Sequence, residues 1–116
     1  MAKENIIIDN TFEFSLRIIE LYKYLTIEKK EYILSKQLLK SATSIGANVE
    51  ESTVAQSRKD FLSKMSIASK EARKTTYWLR LLIKSDYITD DGILNNSIEI
   101  KKIITSIVKT TSAQRD

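Results

Sequence analysis

The chain contains neither cysteine nor histidine. Without thiols it can form no disulfide and no thiolate metal site. Without imidazole it lacks the Ser–His and Cys–His nucleophile pairs, and the Glu-x-x-His pairs of di-iron helical bundles. Proline is also absent, and glycine occurs only at Gly46 and Gly92 of the 116 residues. Average usage would put about 6 prolines and 8 glycines in a chain of this length. Losing both backbone breakers together favours long helices over a turn-rich β fold. The run Ile6-Ile7-Ile8 within Met1–Asn10 is far too short for a signal-peptide core or a membrane span, so a cytoplasmic protein with no membrane association is expected. The adjacent acids Glu50–Glu51 and Asp90–Asp91 share no helix face, since helix neighbours point about 100° apart, so a paired-carboxylate active site is not expected. With no nucleophile pair, metal cluster or cofactor motif in view, a non-enzyme with no cofactor and no metal is expected.

What remains is a single domain of four helical segments. The first is predicted over about residues 10–26, with Asn10 as N-cap and Glu13 three residues on. The second covers about 32–52, after a short charged break. Ser57 is the expected N-cap of the third, over 58–84, with Asp60 placed to complement its dipole. A polar loop, Asp86–Gly92, precedes the fourth, at about 93–110, and the tail from Thr111 to Asp116 should fray. Connections this short make consecutive helices antiparallel neighbours, which specifies an all-α, up-down-up-down four-helix bundle.

The core can be read from spacing. Helix three carries Phe61, Met65, Ala68, Ala72, Thr75, Leu79 and Leu82, and alternating steps of four and three hold them on one seam. Helix one offers two apolar strips, Phe14-Ile18-Leu21-Leu25 and Phe12-Leu16-Ile19-Tyr22. Helix four offers Ile93, Ile100, Ile104 and Ile107, flanked by Leu94, Ile98 and Val108. An edge helix in a lone bundle buries one stripe of about 100°; the surplus points to self-association. In helix two, Ser41 to Asn48 is almost all small residues, with Gly46 in the helix interior at a cost of about 1 kcal/mol relative to alanine. Close packing against the Ala68 and Ala72 region of helix three is the expected compensation. Trp78 lies beside the seam and reads as a packing or interface anchor.

Charge is concentrated. Residues 56–84 hold eight basic side chains against two acidic ones, a local +6, while eleven basic and thirteen acidic residues leave −2 elsewhere. On the outer face of helix three, Lys59, Lys70, Arg73, Arg80 and Lys84 line up with Tyr77. Most charged helix exteriors are merely solvated, but a basic stripe is also the footprint of a phosphate-backbone binder. Arg73 and Arg80 suit forked phosphate contacts and Tyr77 suits base stacking.

The run Ser44-Ile45-Gly46-Ala47-Asn48-Val49-Glu50-Glu51-Ser52, followed by Arg58-Lys59-Asp60-Phe61-Leu62 and Ile67-Ala68, resembles a bacterial four-helix-bundle family first noticed as products of intervening sequences in large-subunit ribosomal RNA genes. Lys70-Glu71-Ala72-Arg73, Tyr77-Trp78-Leu79-Arg80-Leu81-Leu82 and Asp86-Tyr87-Ile88 resemble one branch of it. Ser52 departs from the family's usual glycine, so the end of helix two should either close differently or run a little further. Asn48 and Glu51 match polar positions expected to fix that end and the following loop. The resemblance implies an up-and-down bundle, assembly as a pentameric ring, and a connection to nucleic acid through similar accessory subunits of diversity-generating retroelements. The combined expectation is an oligomeric, non-enzymatic bundle that binds RNA or DNA with low sequence specificity through Lys59, Lys70, Arg73, Tyr77, Arg80 and Lys84. The alternative is a scaffold for a protein partner, without nucleic-acid binding.

Overall fold

The computed structural model describes residues 2–114, with side chains from residue 6 onward. Its four helices are α1 (Ala2–Ile27), α2 (Leu34–Ser52), α3 (Arg58–Lys84) and α4 (Gly92–Ala113). Each packs on its neighbours in a closed ring, α1–α2–α3–α4–α1, and the α1–α4 seam is the thinnest among the described residues. That ring is an up-down-up-down four-helix bundle, a rod of 51 × 22 × 21 Å. The part of the tail expected to fray at residues 115–116 lies outside the described residues, while Thr111–Ala113 belong to α4.

The seam on α3 packs as its spacing predicts. Met65, Ala68, Ala72, Thr75, Leu79 and Leu82 are buried, and Phe61 is partly buried against them. Phe14, Ile18 and Leu25 of α1 and Ile93, Ile100, Ile104 and Ile107 of α4 complete the core with Leu38, Ile45 and Val49 of α2. Two hydroxyl pairs fasten α3 on either side: Ser41 with Thr75 at 2.9 Å towards α2, and Thr76 with Ser97 at 2.8 Å towards α4. All four residues are buried. Each hydroxyl therefore has a partner in a setting where an unpaired one would cost about 1–3 kcal/mol. Of the second apolar strip of α1, Phe12 and Leu16 stay outside, 59% and 46% exposed, while Ile19 and Tyr22 are half-buried.

Several boundaries differ from the sequence reading. Asn10 is no N-cap, because α1 is already helical at Ala2 and runs through it. Ile7 is buried, and Thr11 Oγ1 donates to the Ile7 carbonyl at 2.7 Å in the helix interior. Core contact at Ile7 thus overrides the local capping signal. Helix α2 starts at Leu34, two residues late, because Glu31 folds back over its first turn. The Glu31 carboxylate accepts the backbone N–H groups of Ile33, Leu34 and Ser35 at 3.2, 3.0 and 2.7 Å. The N-cap of α3 is Ser57 as expected: its hydroxyl accepts from the Asp60 N–H at 3.0 Å, and Asp60 accepts from the Gln56 N–H at 3.2 Å.

At the far end of α2, Ser52 and Thr53 close the helix without glycine. Their hydroxyls donate to the Val49 and Glu50 carbonyls at 2.6 and 2.7 Å, and Thr53 keeps φ at −69°. The roles expected of Asn48 and Glu51 do not hold. Asn48 donates to the Ser44 carbonyl one turn back in its own helix, and the Glu51 side chain makes no bond among the described residues. The packing expected of Gly46 is also revised. A Cβ there would meet Ser15 Oγ at 3.4 Å and the Thr11 carbonyl oxygen at 3.5 Å, so Gly46 faces α1. Ser41 and Gly46 lie about 140° apart around the helix, which splits the small-residue run between two neighbours.

Two measurements check this account. Burial raises the Glu31 pKa, but the N–H groups of Leu34, Ser35 and Ile33 outweigh it and hold the carboxyl below its ordinary value of 4.5. The stabilisation is therefore complete above that value and is lost as pH falls through the lower folded pKa. Glu31→Ala should cost about 1 kcal/mol in urea unfolding at pH 7, with the gap to wild type narrowing at pH 3. Gly46→Ala introduces only ordinary contacts. It should raise stability by up to about 1 kcal/mol, read as a higher urea midpoint; a lower midpoint would reveal a closer neighbour than Ser15 and Thr11.

Candidate nucleic-acid interface

The outer face of α3 follows from its inner one. Once the 4-3 seam is buried, residues on the opposite side of the helix point to water. Lys59, Lys70, Arg73, Tyr77, Arg80 and Lys84 are all exposed there. From Lys59 to Lys84 the row runs 25 residues, about 37 Å at the α-helical rise. None of its five cations forms an ion pair among the described residues, so their field reaches solvent uncancelled. Tyr77 is 53% exposed, and its ring meets Trp78 edge-on with centroids 5.2 Å apart. Trp78 itself is half-buried and packs against the core, as an anchor should.

The two flanks of this face differ. Towards α2, a depression lined by Gln37, Lys40, Glu71, Lys74 and Trp78 is charge-balanced in part by the Lys74–Glu71 pair at 3.2 Å. Towards α4, a groove of about 580 Å³ is lined by Arg73, Lys101, Lys102 and Lys109, with Thr105 and Thr110. Among the described residues, no carboxylate lines it. The three α4 lysines were absent from the sequence reading. Lys102 and Lys109 stand seven residues apart opposite the isoleucine stripe, a signal that periodicity could have supplied. Their meeting with Arg73 is tertiary. The positive surface therefore belongs to α3 and α4 together: residues 92–113 add three lysines against Glu99 alone.

Groups of three or more carboxylates able to hold a metal ion do not occur among the described residues. No helix among them is long and apolar enough to cross a membrane.

A bundle of four long helices with one positive side defines an architectural class. Within that class the chain matches the family described as 23S rRNA-intervening sequence protein over residues 3–109, and it belongs to that family. It is similar to a crystal structure of a protein of unknown function from the S23 ribosomal protein family of Bacteroides thetaiotaomicron VPI-5482, at 52% identity and a TM-score of 0.89. The match covers 92% of this chain and 98% of that one. No curated protein matches the chain. Neither the family description nor the structural relative names an enzymatic activity.

Proposed function

We propose that this protein is a non-enzymatic, cytoplasmic, oligomeric bundle that binds RNA or DNA with little sequence preference through the positive side of α3. The observation that carries this reading is the row Lys59, Lys70, Arg73, Arg80 and Lys84, exposed and without ion pairs among the described residues. Such a row neutralises phosphates and releases their counterions, a driving force indifferent to base identity. Tyr77 supplies an exposed ring for stacking, which is also tolerant of sequence. The family name, which refers to 23S rRNA, fits a nucleic-acid setting without specifying an activity.

Self-association supports the same reading. Phe12 and Leu16 are large apolar side chains left in water by the single chain, and burying them against another copy would remove that cost. Repetition of the basic face around a ring, pentameric by family resemblance, would convert weak phosphate contacts into useful avidity.

Arg73→Glu with Arg80→Glu should weaken binding of mixed-sequence RNA and DNA at least tenfold at low salt, measured by fluorescence anisotropy. Affinity unchanged from wild type, or no binding by the wild type, sinks the proposal in favour of a protein scaffold. Sedimentation at micromolar concentration should give a species several times the 13.3 kDa chain mass, and Phe12→Asp with Leu16→Asp should shift it towards the monomer. A wild-type protein sedimenting only as monomer would overturn the assembly.

A further inference from the structure

We propose that the α3–α4 groove seats the sugar-phosphate backbone of a single strand, which crosses from Tyr77 and Arg73 on α3 to Lys102 and Lys109 on α4. The proposal rests on the nucleic-acid reading above and adds to it the form of the nucleic acid and its path.

The charge pattern selects the phosphate chain. Arg73, Lys101, Lys102 and Lys109 border one groove of about 580 Å³ that no carboxylate of the described residues lines. Thr105 and Thr110 line the same groove, and threonine hydroxyls are neutral donors of the kind that complete phosphate contacts. The α2 side of α3 offers no equivalent, because Glu71 holds Lys74 at 3.2 Å. The size is also telling: clefts of roughly 300–1,000 Å³ hold organic ligands, so a lone phosphate would leave most of this one empty.

Width selects the single strand. Packed helices stand about 8–10 Å apart axis to axis, so the trough between them admits a slim chain and excludes a duplex. A duplex could rest only on the rims, away from Lys101, which is half-buried in the seam. Tyr77 lies one helical turn from Arg73, about 6 Å along the axis. Its exposed ring can stack only on a base free of duplex stacking. Crossing the seam also adds the lysines of α4 to Arg73, which a path along α3 alone would miss.

The test compares a labelled 15-nucleotide oligothymidine with a mixed-sequence 15-base-pair DNA duplex, by anisotropy across a salt series with the full-length protein. The strand should bind at least tenfold more tightly than the duplex. Lys102→Glu with Lys109→Glu should weaken strand binding at least tenfold. The neutral pair Lys102→Gln with Lys109→Gln should lower the salt slope by about 1.4, two phosphate contacts at 0.7 each. Lys29→Glu with Lys36→Glu, an equal charge change away from the groove, should weaken it less. Circular dichroism melts verify folding, and the glutamine pair decides if the glutamate pair unfolds. Duplex binding equal to or tighter than strand binding overturns the proposal. So does wild-type affinity in both α4 pairs; if Arg80→Glu with Lys84→Glu then still weakens binding, the α3 reading survives alone. Absence of binding by either nucleic acid defeats both readings together.

Discussion

The structure depends on the burial of one seam, the 4-3 row of α3. Met65, Ala68, Ala72, Leu79 and Leu82 sit at the centre of the core, and α3 packs on both α2 and α4. The small residues Ala68 and Ala72 let neighbouring helices approach, and the larger ones at either end fill the remaining volume. The hydroxyl pairs Ser41–Thr75 and Thr76–Ser97 are set into the same contacts. Such pairs add little net stability, about 1 kcal/mol each, since Ser41, Thr75 and Thr76 also reach carbonyls of their own helices. They mark the register at which the three helices meet.

That same burial produces the exposed surface. An α-helix cannot turn one side inward without turning the other outward, so fixing the seam also fixes where Lys59, Lys70, Arg73, Tyr77, Arg80 and Lys84 point. The same register that brings Thr76 to Ser97 places Arg73 beside the lysines of α4. A folding constraint and a charge pattern are thus two sides of one helix. Because the charges lie on the solvent side, reversing them should disturb the field far more than the core, since exposed charges contribute little to stability.

The other half of the bundle is electrically quieter. Helix α2 carries two lysines and two glutamates, and the closing α1–α4 seam is thin, with Arg17 donating to Asn96 Oδ1 at 2.7 Å across it. Phe12 and Leu16 face outward from α1. The molecule therefore presents apolar surface on one helix and cationic surface on two others. This separation allows an assembly contact and a phosphate contact to coexist without competing for the same side chains.

Periodicity and composition were enough to specify four helices, their antiparallel order and the core stripes of α1, α3 and α4, because those follow from local rules: missing breakers, steps of three and four, short loops. The seam of α3, the isoleucines of α4, the Ser57 cap and the outward basic row were all legible for this reason. Features that depended on a distant partner were not. Asn10 and Glu13 look like a helix start until Ile7 finds its place in the core. Gly46 could face either neighbour until the bundle closed, and it closed with Gly46 on Thr11 and Ser15. Glu31 became a cap only when the chain curled back over the start of α2. The groove is the plainest case. Arg73 and Lys102 are 29 positions apart in the sequence, and only the packing of α3 on α4 turns two separate charged faces into one cleft.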